Sequence, residues 1–133
     1  MNSFVVLVPT KNSYKIIQRL INSLKAQTFK KWKLVFIDGK SNSKHIDYLK
    51  ELCSSDKRFI YLKQKESLKG IFGAMNQGLE KSDLNSWLIF WGSDDWVIKP
   101  YTFEKLDYQI RNFSHLDLDL MICKGKYYNN QYK

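Results

Sequence analysis

A chain of 133 residues with 44% hydrophobic content is long enough to bury a core and too apolar to be a disordered segment. No stretch reaches the ~20 apolar residues of a membrane span, and the apolar run at 4–8 is shorter than a signal-peptide core and lacks a small-residue cleavage site after it, so a cytoplasmic protein is expected. The net charge of +9 is lopsided, with 14 Lys/Arg against 4 Asp/Glu in residues 1–65 and 8 against 9 in residues 66–133. Such an excess favours anionic partners, whether nucleotide phosphates, an anionic membrane surface or nucleic acid, and a solvated lysine-rich surface explains it equally well.

The first element, FVVLV at 4–8, is a valine-rich run closed by Pro9 and reads as a strand buried on both faces. From Ser13 the apolar positions become Ile16, Ile17, Leu20, Ile21 and Leu24, the spacing of an amphipathic helix with Asn12 or Ser13 as N-cap. KLVFI at 33–37 is a second buried strand, the polar loop 38–43 follows it, and Ile46, Leu49, Leu52 and Cys53 mark a second helix. A third strand covers 59–62. The next segment opens as a loop and turns helical through Ile71, Met75 and Leu79, while Gly70, Gly73 and Gly78 weaken that helix in isolation and point to close backbone approach. WLIFW at 87–91 reads as a fourth buried strand, 101–112 as a helix started by Pro100, and 118–123 as a fifth strand. The polar, aromatic tail at about 124–133 is open to disorder or to a homo-oligomer contact. There is no repeat, low-complexity tract or linker, so residues 1–133 are expected to form one domain.

Strands alternating with helices imply right-handed β-α-β units and a mostly parallel α/β sheet covered on both faces. Ligands bind such sheets outside the carboxyl ends of the strands. Three polar clusters then share one edge: Thr10, Lys11 and Asn12 after the first strand, 38–43 after the second, and Ser93, Asp94 and Asp95 after the fourth. Adjacent acids at a strand tip suit a hard divalent cation, Mg²⁺ or Mn²⁺, that completes its shell with phosphate oxygens and water. The competing reading makes Asp94 and Asp95 turn or capping residues. Asp38 is equally open, since its carboxylate can accept from a base N–H or a ribose hydroxyl, or simply begin a turn with Gly39. Cys53 and Cys123 have no metal or redox spacing and read as free thiols, and His45 and His115 have no nucleophile beside them and read as surface residues. GxxxxGK[ST] and GxGxxG are both absent, against a P-loop NTPase and a Rossmann dehydrogenase.

The stretch VVLVPTKNSYKIIQRLINSLKAQTFKKWKLVFIDGKSNS resembles the opening of family 2 glycosyltransferases, KGIFGAMNQG is similar to the KGIYDAMNKG segment of one bacterial branch, and FWGSDDW is similar to its FLNSDD metal motif. The resemblance runs from about residue 4 to residue 123, and corresponds to the nucleotide-sugar-binding half of such enzymes. It implies a GT-A fold and transfer of a sugar from a nucleotide-diphosphate donor, UDP favoured, with inversion, to a saccharide or lipid-linked acceptor in cell-surface polysaccharide or lipopolysaccharide synthesis. It also implies that Pro9, Thr10 and Asn12 line the nucleotide pocket, that Asp38 meets the base, and that Asn76 and Gly78 shape the pocket floor. Ser93 and Asp94 would meet the diphosphate or ribose, and Asp94 and Asp95 the Mg²⁺ or Mn²⁺.

Four positions depart from the family pattern: Gly92 where many members carry an aspartate, Lys11 before Asn12, Gly73 in place of the acid of IYDAMN, and Lys40 after Asp38. Each removes negative charge or adds positive charge beside the expected diphosphate, which bears on donor choice or on loss of activity. Family members take their general base from the half after the metal motif, and neither Glu104, Asp107, Asp117 nor Asp119 is a candidate by position. Beside the transferase stand a nucleotide-sugar-binding module without turnover and, remotely, a basic nucleic-acid-binding domain; the aromatics fall largely in buried strands, so no nucleic-acid partner is expected. A basic N-terminal half suits peripheral contact at the inner face of a membrane.

Overall fold

The computed structural model describes residues 2–83 and 85–128. Its elements run β1 (Phe4–Thr10), α1 (Tyr14–Lys25), β2 (Trp32–Asp38), α2 (Ser43–Ser55), β3 (Phe59–Lys63), α3 (Gly70–Glu80), β4 (Trp87–Phe90) and α4 (Thr102–Asn112), with a short 3-10 turn at Ser114–Leu116. The four strands form one sheet in the order β3-β2-β1-β4, and every pairing is parallel. This is the expected α/β arrangement.

Because successive side chains point to opposite faces, each strand divides its apolar residues between two cores. Phe4, Val6 and Val8 of β1 and Trp32, Leu34 and Phe36 of β2 join the larger core under α1, α2 and α4. Val5, Leu7, Val35 and Ile37 meet α3 on the other face. The first and second strands are buried on both faces, as their unbroken apolar runs imply. Gln27, fully buried after α1, fastens the stretch before α4 to the core: its amide donates to Ser23 O and Lys99 O, and its oxygen accepts from Phe103 N.

Several expectations need correction. Residues 118–123 form no strand: the chain leaves the 3-10 turn in irregular backbone, with Leu120 and Ile122 exposed. Apolarity alone marked that run, and the sheet offers no pairing for it. The fourth strand is not buried either, for β4 is an edge, half-buried along Trp87–Ile89 and 55% exposed at Phe90. In α3, of the expected apolar stripe Ile71, Met75 and Leu79, Ile71 and Leu79 face outward and only Met75 is part-buried against the core, while the packed face is Gly73, Ala74, Gln77 and Gly78. Small residues win that face because the helix lies close: a Cβ at Gly78 would sit 3.0 Å from Leu7 Cδ2 and 3.1 Å from Ile37 Cδ1. Of the expected flexible tail, 124–128 carry no regular element and 129–133 lie outside the described residues.

Candidate nucleotide-sugar site

The parallel register sets Thr10 beside Asp38 at the carboxyl ends of β1 and β2, and continues to Asp38 beside Lys63 on β3. Asp38 is fully buried, and its carboxylate is saturated by its neighbours. Thr10 Oγ1 donates to Oδ1 at 3.3 Å, Ser41 N to Oδ2 at 3.1 Å, Tyr61 OH to Oδ2 at 3.3 Å, and Ser41 Oγ makes a short bond to Oδ1. A direct contact between Asp38 and a base therefore requires one of these bonds to be given up. Tyr61 keeps its proton, its hydroxyl pushed up to about 12 by burial and then by the Asp38 charge beside it.

His45 belongs to this network and not to the surface, which corrects the sequence expectation. It is fully buried, with Nε2 3.1 Å from Thr10 Oγ1 and 3.6 Å from Asp38 Oδ1. Thr10 spends its hydrogen on the carboxylate, so it must accept from a protonated Nε2, which leaves Nδ1 bare and, among the described residues, unpartnered. Burial pulls the imidazole below its usual value against the upward pull of Asp38. Its signal in the sequence was position: His45, Leu49 and Leu52 share the buried face of α2. His115 is exposed, as expected.

A second set of bonds joins the loops after β1 and β2. Asn12 takes a left-handed backbone, φ 52°, and its N–H donates to Ser41 Oγ at 2.8 Å while its side-chain oxygen accepts from Asn42 N at 2.7 Å. Ser13, not Asn12, caps α1, without a side-chain cap bond. Lys40 pairs with Glu66 at 2.8 Å, so its added charge is balanced at the surface, whereas Lys11 has no ion pair among the described residues. Ser41, Tyr61 and His45 were not singled out as site residues in the sequence: Ser41 reaches Asp38 through the local turn after β2, Tyr61 through the pairing of β2 with β3, and His45 through the packing of α2 over the strand ends.

At the tip of β4, next to β1, Gly92 N donates to Asp95 Oδ2 at 3.1 Å and Asp95 N to Gly92 O at 3.3 Å, closing a tight turn. Asp94 and Asp95 are exposed, and their carboxylates converge on Gly92: a Cβ there would lie 2.8 Å from Asp94 Oδ1 and 3.0 Å from Asp95 Oδ2. Glycine at 92 is thus what lets the two acids close on one point. Among the described residues no three His, Cys, Asp or Glu side chains are grouped to hold a metal. Two converging carboxylates fit Mg²⁺ or Mn²⁺ when the remaining ligands are phosphate oxygens and water.

The structure thus gathers Pro9, Thr10, Asn12, Asp38, Ser93, Asp94 and Asp95 along one edge of the sheet. Asn76 stands exposed on α3, and Gly78 packs on the sheet interior against Leu7 and Ile37, apart from the polar cluster. Glu104 and Asp107 on α4 are structurally engaged, Glu104 accepting from Thr28 and Asp107 from Asn2 and Arg111.

Residues 5–130 match the model of glycosyl transferase family 2. The chain belongs to that family. It is 30% identical over 125 residues, 92% of its length, to an uncharacterized glycosyltransferase of Rickettsia felis, of which it spans 20%. Among solved structures it is similar to S. aureus TarS 1–349 at 24% identity and TM-score 0.74, covering 84% of this chain and 33% of that one; TarS has also been solved with UDP and with UDP-GlcNAc. A mannosyltransferase from Pyrobaculum calidifontis, solved with GDP-Man and Mn²⁺, matches at 15% identity and TM-score 0.61 over 73% of this chain and 29% of that one. These likenesses establish the GT-A fold of the family 2 chain, which spans a third or less of each of these three proteins.

Proposed function

We propose that residues 1–133 form one GT-A unit that binds the donor of an inverting, metal-dependent glycosyltransferase. It moves a sugar from a nucleotide diphosphate, UDP favoured, to a saccharide or lipid-linked acceptor in cell-surface polysaccharide or lipopolysaccharide synthesis. The observation that carries this reading is the convergence of Asp94 and Asp95 at Gly92, on the same sheet edge as the tied loops of Thr10, Asn12 and Asp38. The UDP complexes of TarS support the choice of nucleotide, and the Mn²⁺ of the mannosyltransferase supports the metal.

In this reading Pro9, Thr10 and Asn12 wall the nucleoside pocket, and Asp38 works as a positioning residue, holding Thr10 and Ser41 in place. Ser93 and Asp94 face the diphosphate, and Asp94 and Asp95 would hold Mg²⁺ or Mn²⁺, which when bound offsets charge growing on the departing diphosphate. Asn76, exposed on α3, would shape the pocket floor. The chain works in the cytoplasm, and its basic N-terminal half lets it dock at the inner face of a membrane. A second reading, donor binding without turnover, is favoured by the structural engagement of Glu104 and Asp107.

The test is thermal unfolding with UDP, GDP, dTDP and AMP, each with and without Mn²⁺. At ~100 times Kd a ligand adds about 2.7 kcal/mol, a few degrees in Tm. A Mn²⁺-dependent rise with UDP that disappears in Asp94→Ala/Asp95→Ala is expected, and no shift with any nucleotide would sink the proposal. Product formation from UDP-sugar and an oligosaccharide acceptor then separates transfer from binding alone.

A further inference from the structure

The opposite end of the sheet holds a cavity of about 470 Å³ that the donor reading does not use. It lies at the amino ends of the strands, beyond the C-terminal end of α3, roughly 20 Å from Thr10 along β1 at ~3.3 Å per residue. Val5, Val35 and Ile60 contribute an apolar floor. Around them stand Lys30, Lys31, Lys33, Arg58 and Lys81, against the single carboxylate of Asp83.

Two of these cations are already committed. Arg58 pairs with Asp56 at 2.7 Å and lies over the Trp32 ring, and Lys30 Nζ donates to Gln27 O at 2.6 Å. Lys31, Lys33 and Lys81 are exposed and have no ion pair among the described residues. The site therefore offers uncompensated positive charge around an apolar base.

We propose that this cavity docks the anionic headgroup of a membrane phospholipid, the phosphate among Lys31, Lys33 and Lys81 and the glycerol and first methylenes on Val5, Val35 and Ile60. This rests on the membrane-docking part of the proposed function and locates it away from the donor edge. A single-stranded nucleic acid is the poorer fit because it stacks its bases on exposed rings, and Phe4 and Trp32 are each only 2% exposed here. The apolar floor inside a cationic rim matches an amphiphile.

The experiment is co-sedimentation of the 133-residue chain with vesicles of phosphatidylcholine alone and with 30% phosphatidylglycerol, at ~0.1 M salt. At about 1 kcal/mol per lysine near an anionic surface, K31Q/K33Q/K81Q should bind the anionic vesicles roughly a hundredfold more weakly than the native chain. K15Q/K99Q/K124Q, with the same net charge but substitutions outside the cavity, should stay within about threefold. Equal losses in both triples would mean that overall charge drives binding and would overturn the cavity while leaving membrane docking intact. No binding of the native chain to anionic vesicles would overturn both. The UDP and Mn²⁺ midpoint shift, read on the same samples, reports folding and the donor site independently.

Discussion

Asp38 carries the tightest chemistry of the molecule at the scale of single residues. A buried carboxylate is tolerable only when its oxygens are filled, and Thr10, Ser41 and Tyr61 fill them. His45 stands behind this group as a neutral donor, its imidazole held low first by burial and only partly restored by Asp38. The folded chain then resists protonating His45 where the unfolded chain accepts the proton. Stability contributed by the neutral ring is present above the unfolded value of about 6.5 and is lost as pH falls toward the lower folded value. Denaturant midpoints at pH 7.5 and 5.5 should therefore drop in the native chain and drop less in His45→Gln; an equal drop in both would show that His45 is not the group concerned.

Among the elements, α3 shows most clearly what close packing demands. A Cβ at Gly73 would stand 2.3 Å from the Leu68 carbonyl carbon and 2.4 Å from its oxygen, so the loop before α3 occupies the space that any side chain at this position would use. Gly73→Asp is expected to cost about 1–3 kcal/mol and several degrees of Tm, because rigid backbone must move. Gly78→Ala meets only the methyl ends of Leu7 and Ile37 and should cost less. Reversal of that order in calorimetry would contradict the packing described. Gln77 clamps the same loop from the helix side, accepting from Lys65 N and donating to Lys63 O, both at 2.8 Å. The glycines could be read in advance as close approach, but the partner atoms could not, since Leu68 reaches Gly73 only through the fold of the loop.

For the whole molecule, the sheet order decides which parts are secure. β1 is flanked by β2 and β4, whereas β4 is paired on one side only. Trp87 and Trp91 donate to Ser3 O and Leu7 O, so the intervening amides of Leu88 and Phe90 alternate toward the open side. Hydrogen exchange is expected to be slowest in β1 and markedly faster at Leu88 and Phe90; protection of those two equal to that of Val6 would mean that something covers the edge. Part of the charge excess read from the sequence also acquires a place: five of the 22 basic residues, Lys30, Lys31, Lys33, Arg58 and Lys81, line one cavity at the amino ends of the strands.

The order of strands and helices, the two-faced burial of the first two strands and the common edge of the polar clusters all follow from periodicity and from the handedness of parallel β-α-β units. Those are local or topological properties, and a sequence carries them directly. Tertiary structure decided the rest. It sank His45 and Asp38 together, turned Ile71 and Leu79 of α3 outward in favour of its glycines, left β4 half-exposed as an edge, and denied 118–123 a strand. Each of these depends on which surface lies opposite, and that is set by long-range packing, which no local pattern of residues encodes.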